Sequence, residues 1–283
     1  VTAAPLHAIG RRLFASLGLF AILSSGACKG SADSPSGAHA AVIPGAAGGT
    51  AEESAGEVVI AAPPARYEGG LSAAGSVTGT VTTSSPLAPE PAVSSGNESA
   101  VCGSFIADSS VTQSGSGLGN VVVWLDGVRK GKALPLEKRL ELESDHCVLV
   151  PRVQGAMVGG AVNVIAHEDL RQHLRFVAGG ESQPRVSVLL GKDEQVIPSE
   201  LPLKTPGLVI VRDADHPWPR AYIAVFDHPY FAITKPDGSF TIDGVPAGSY
   251  TLVAWHERTG RKEQPVTVSA SGAVKVDVKL DAK

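Results

Sequence analysis

Beyond residue 72 the apolar positions fall into short runs rich in Val, Ile and Thr, separated by Gly, Pro, Asp and Asn. Runs of this kind bounded by turn residues predict β-strands. A first series is expected over 76–82, 120–125, 139–142, 147–153, 161–166, 173–177, 186–189 and 208–211. A second covers 221–226, 231–234, 239–242, 249–255, 265–269 and 274–279. Asp237-Gly238 sits between two alternating runs, as a tight hairpin requires, and Pro246 with Gly248 marks the next reversal. The alternating glycines of 115–119 precede a strand and not a helix, so they are expected to form a flexible loop, not a phosphate cradle. Helical spacing after the first residues is confined to a weak pattern over 134–140. The fold class expected is all-β, a sandwich or open barrel. The pattern leaves open whether 76–82 pairs with the first series or with the second.

The beginning of the chain has another rhythm. Arg11 and Arg12 precede an apolar-biased run over 13–23, then Ser24, Ser25, Gly26 and Ala27 lead to Cys28. A run this short cannot span a bilayer and has the order of an export signal. The small residues before Cys28 resemble the lipobox of bacterial lipoproteins, which implies a lipid anchor on Cys28. The position three before the cysteine holds Ser25 where a lipobox usually has Leu, so plain secretion or a retained anchor stays open. Residues 29–72 are built largely of Ala, Gly, Ser and Pro and offer no face to bury, which predicts a disordered low-complexity tether. Val58, Val59 and Ile60 form its one apolar cluster.

Net charge is −4 with scattered basic residues, so the sequence gives no electrostatic case for a nucleic-acid partner. If Cys28 is lipidated, Cys102 and Cys147 are left as an even pair among three cysteines. An oxidising compartment would join them in a disulfide; two free buried thiols are the alternative.

The stretch Asn120-Val121-Val122-Val123-Trp124-Leu125-Asp126-Gly127, with His216-Pro217-Trp218 and Asp227-His228-Pro229-Tyr230-Phe231, resembles bacterial plastocyanin-like domains. Pro236-Asp237-Gly238-Ser239-Phe240-Thr241-Ile242 followed by Val245-Pro246-Ala247-Gly248-Ser249-Tyr250-Thr251-Leu252 resembles the carboxypeptidase regulatory-like, or prealbumin-like, module. The resemblance implies a cupredoxin-like Greek-key sandwich over 73–220 followed by a small carboxypeptidase regulatory-like β-sandwich over 221–283, after a signal over 1–28 and a tether over 29–72.

It also implies a metal site, and here the sequence departs from the family. A type 1 copper site needs two imidazoles and a thiolate in one plane with a weak axial thioether. The matching loop reads Asp213-Ala214-Asp215-His216-Pro217-Trp218-Pro219, with Asp213 in the thiolate place and Pro219 in the axial one. His173 is the candidate upstream imidazole, with His167 as alternative. His173, Asp213 and His216 would form a nitrogen and oxygen set able to take copper or zinc; loss of the metal altogether is the competing expectation. His228 and His256 would form a second pair if they met across strands. Trp124, Trp218 and Trp255 either fill the core or, exposed, stack on a sugar or partner.

No G-x-S-x-G occurs between a strand and a helix, His167-Glu168 lacks the second His of a helical zinc protease, and carboxylate pairs such as Glu52-Glu53 lie in the tether, where nothing would hold them, so no enzyme is expected. The function expected is a lipid-anchored binding or interaction protein of the periplasm or cell surface, its partner an envelope protein or polysaccharide. A metal-handling or electron-transfer protein and a carbohydrate-binding module are the alternatives.

Overall fold

The computed structural model describes residues 66–200 and 202–281. The expected signal over 1–28 with Cys28, and the expected tether as far as residue 65 with residues 58–60, lie outside them. The principal strands are, in chain order, β1 (Ala74–Thr82) and β2 (Val122–Asp126); then β3 (Leu140–Asp145), β4 (Val148–Val150), β5 (Val153–Met157), β6 (Val162–Ala166), β7 (Gln172–Ala178), β8 (Val186–Leu190), β9 (Gly207–Asp213) and β10 (Arg220–Phe226); then β11 (Phe231–Ile233), β12 (Ser239–Val245), β13 (Gly248–His256), β14 (Gly260–Val268) and β15 (Ser271–Lys275). The fold is all-β, as expected, with two sandwiches.

The middle group forms one sandwich. Its sheets run β5-β10-β9-β7-β8 and β4-β3-β6, the latter extended by Gln195–Val196. Two pairings are parallel, β5 with β10 and β3 with β6. Leu142, Phe176, Val211 and Ile223 lie in the core between these sheets. The strands on either side of that group in sequence form the other sandwich. One sheet runs β11-β2-β13-β14, and the other centres on β1, which pairs β12 antiparallel and β15 in parallel. Val77, Leu125, Tyr230 and Leu252 fill its core.

Strand pairing therefore crosses the expected boundary at 220/221 in both directions. β2 and β1, expected with the first domain or left open, lie in the sandwich of the C-terminal strands. β10, expected with the C-terminal module, pairs β9 and β5. The chain enters the outer sandwich, builds the inner one, and returns. The tether boundary also shifts: Tyr67 packs against Tyr230, and Glu68–Gly69 pairs Lys130–Gly131, so residues 66–72 belong to the folded unit.

The two sandwiches meet through β2 and β10, and the reason is in their composition. In β2, Val123 and Leu125 enter the outer core while Val122 and Trp124 face the seam. In β10, Ala221, Ile223 and Val225 enter the inner core while Tyr222, Ala224 and Phe226 face the seam. Strands covered on both faces carry continuous apolar runs instead of alternation. Across the seam Arg152 forks onto Glu257 at 2.5 and 2.7 Å, both side chains nearly buried.

Four local expectations are corrected. The strand over 147–153 is two: Cys147 lies in the turn between β3 and β4, and Pro151, which has no N–H to give a ladder, separates β4 from β5. Asp237-Gly238 does form a tight turn, with Gly238 N–H donating to Lys235 O at 2.8 Å, but its flanking strands belong to different sheets, so it turns a sandwich corner. The glycine loop is a short hairpin pairing Gln113–Ser114 with Gly117–Leu118 beneath that corner. A Cβ on Gly117 would lie 2.1 Å from Asp237 O, so only glycine lets the two turns approach. The pattern over 134–140 forms no helix, because Leu134 touches the outer core while Leu136 is fully exposed.

Candidate functional site

The expected copper loop is closed by its own aspartate. The Asp213 side chain is wholly buried at the end of β9. Its Oδ1 accepts the Asp215 N–H at 2.8 Å and the His173 N–H at 3.3 Å, and its Oδ2 meets His216 Nδ1 at 3.0 Å. The Ala214 N–H completes the brace by donating to His173 O at 2.8 Å. Asp213 and His216 are thus brought together, whereas His173 contributes its backbone to the aspartate. Among the described residues no three His, Cys, Asp or Glu side chains are placed to hold a metal ion.

The sulfur atoms are committed elsewhere. Cys102 and Cys147 form a disulfide, as expected, and Met157 is buried on β5. Type 1 copper needs a thiolate, so the residues present do not fit it. His167, the alternative imidazole, is exposed and pairs with Glu143 at 2.9 Å, a hydrogen bond that raises its pKa. The neighbouring Glu168 accepts the Cys147 N–H at 2.6 Å and the Ser144 hydroxyl at 2.9 Å. That interaction holds the turn at His146 and Cys147, two non-glycine residues with left-handed backbone. Trp218 stacks near His216, with ring centroids 5.0 Å apart, and packs against the disulfide.

His228 and His256 have separate surroundings. His228 lies between the Phe226 and Tyr230 rings, and its Nδ1 accepts the Tyr230 N–H. His256 Nδ1 accepts the Arg258 N–H. Burial lowers the pKa of both, so both are neutral at pH 7.

A largely apolar concavity lies at the seam. It is a groove of about 320 Å³ walled by Trp124, Trp255, Phe226, Val122 and Leu208. Asp126, Asp227 and Arg261 also line it, and all three are exposed. The aromatic wall is braced from behind. Phe226 stacks on Phe231 at 4.4 Å and meets Trp124 at 5.8 Å, while Trp255 meets Tyr222 at 5.4 Å. The Arg261 guanidinium lies 5.3 Å from the centre of the Trp124 ring. Trp124 and Trp255 are half-buried, between the filled-core and exposed alternatives posed by the sequence. An apolar floor with a few polar groups at the mouth is the usual form of a small-ligand site. Phe226 and Arg261 carry no functional signal in the sequence, and Asp126 and Asp227 stand out there only as members of the plastocyanin-like stretches. The signal that could have found the groove is the pair of unalternating runs 121–125 and 221–226, which mark two sheets facing each other.

Residues 207–281 match the family model of the carboxypeptidase regulatory-like domain. The matched stretch begins with β9 and β10 of the inner sandwich and runs through the C-terminal strands. No curated protein matches the chain. Solved structures similar to it include a Cu-containing nitrite reductase from Thermus scotoductus SA-01, 23% identical with a TM-score of 0.27, over 34% of this chain and 24% of that one. A mutant of amicyanin in its reduced Cu(I) form at pH 4 is 16% identical with a TM-score of 0.27, over 37% of this chain and 98% of that one. At such scores these likenesses say nothing of copper in this chain.

Proposed function

We propose that the protein is a non-catalytic binding protein, exported and lipid-anchored through Cys28 at the periplasmic or cell-surface side of a bacterial envelope, and that the seam groove is its binding site. The observation that carries this reading is the groove itself: two tryptophans and a phenylalanine held rigid by a second layer of rings, with carboxylates and a guanidinium at the mouth. The order of charges, apolar run and small residues before Cys28 supports export, and the Cys102–Cys147 disulfide accords with an oxidising compartment.

Of the expected partners a polysaccharide suits the groove best. A sugar ring has an apolar face that stacks on an aromatic wall and hydroxyls that reach carboxylate and guanidinium partners. A blue-copper role has no support in the donor set. The test is binding of the full chain to a panel of envelope and plant polysaccharides, repeated with Trp124→Ala and with Asp227→Ala, an exposed substitution that leaves the core intact. Retention by at least one glycan, weakened in both variants, supports the reading. Equal retention of both variants, or none by any chain, refutes it.

A further inference from the structure

We propose that the glycan taken by the seam groove is a cationic one, a polymer of amino sugars whose ammonium groups are held by the aromatic wall and two carboxylates at its mouth. The inference rests on the reading of the groove as a glycan site and names the class of sugar.

Strand geometry brings the carboxylates to the rings. Side chains two residues apart on a strand share a face, so Asp126, which ends β2, projects to the same side as Val122 and Trp124. Asp227 follows Phe226, the last residue of β10. Both aspartates line the groove and are exposed. Among the described residues neither forms an ion pair.

The positive charges nearby do not cancel them. Arg261 stands opposite Trp255 in the β13–β14 ladder and pairs with Glu263 at 2.7 Å. Arg129 acts on the His228 ring together with Asp126 and Asp227, but it is not part of the lining. His228 does line the groove, and burial, outweighing the two carboxylates, keeps it neutral. With Glu263 and Arg129 counted, three carboxylates stand against two guanidiniums, so the mouth is net negative.

The wall itself suits a cation. An indole face attracts positive charge through its quadrupole, and the Arg261 guanidinium, 5.3 Å from the centre of the Trp124 ring, has one such contact in place. Trp255, the wall's other indole, has no cation over it among the described residues. A sugar ring filling the groove gains a charge-assisted hydrogen bond from an ammonium substituent, where a hydroxyl or acetamide gains an uncharged one. A uronic acid in the same place meets repulsion from both aspartates.

The test is calorimetric titration of the full chain at about pH 6.5, where aspartate carboxylates are ionised. The probes are hexasaccharides of glucosamine, N-acetylglucosamine and glucose joined by the same linkage, so that they differ only in the substituent at the second carbon. The glucosamine oligomer is expected to bind about tenfold or more tightly than the other two, as one charge-assisted hydrogen bond entails. Asp126→Asn combined with Asp227→Asn, exposed substitutions that keep an oxygen acceptor at each place, should bring the three oligomers to within about threefold of one another. Equal or tighter binding of a neutral oligomer overturns the inference and leaves the groove a glycan site. An advantage that survives the double variant also overturns it, since the attraction then belongs to the chain's overall charge of −4. Binding of none of the three overturns it as well, and binding that Trp124→Ala leaves unchanged takes the glycan reading with it.

Discussion

Replacing Asp213 with alanine strips the acceptor from two backbone N–H groups and from the His216 ring in one step. Leaving such partners unsatisfied costs about 2 kcal/mol, which urea unfolding would register. An unchanged midpoint would show that the brace contributes nothing. Protons act in the opposite place, at the buried histidines. Burial holds His228 and His256 below the ordinary value of 6.5, so the unfolded chain takes up protons first. Stability is whole above that value and falls as pH drops through it. His167 has the reverse sign, since Glu143 raises its pKa, but it is exposed and its contribution is screened. The thermal midpoint should therefore fall between pH 7 and pH 5.5, and His256→Asn, which keeps an acceptor for the Arg258 N–H, should flatten that slope. A midpoint that rises on acidification contradicts the burial of both rings.

At the scale of elements, the close approach of two turns makes a sharper demand than any strand. A Cβ on Gly117 collides with the Asp237 backbone, so Gly117→Ala should destabilise by about 2 kcal/mol, measured as a lower urea midpoint. A neutral substitution would mean that the sandwich corner is looser than its spacing. The strands themselves were legible: β-branched runs between turn residues placed most of them to within a few residues. Their partners were not. Alternation tells which face of a strand is wet, not which strand lies beside it, and 120–125 carries the same runs wherever it pairs. The motif of Trp, Asp and Gly that resembles a plastocyanin opening strand therefore pointed to the wrong sheet. The site was half legible in the same way. His216 and Asp213 do meet, yet the sequence could not say that the aspartate's oxygens are taken up by backbone N–H groups.

The whole molecule depends on the seam, where one sandwich's Arg152 meets the other's Glu257 with both side chains nearly out of water. Removing one partner of a buried pair leaves an uncompensated charge, so Glu257→Gln should cost about 3 kcal/mol. Arg152→Met combined with Glu257→Leu should recover part of that loss, because no unpaired charge is left. Both are read from chemical unfolding, and a double variant as unstable as the sum of the singles would show that the pair contributes by more than charge. The same seam creates the groove, since two covered sheets leave aromatic side chains exposed only along the edge where they part. Calorimetric titration of the full chain with the best-retained oligosaccharide, before and after Trp124→Ala, addresses that claim directly. Saturable one-site binding that disappears in the variant, while the variant stays folded, is the predicted result. Undiminished binding by the variant would contradict it.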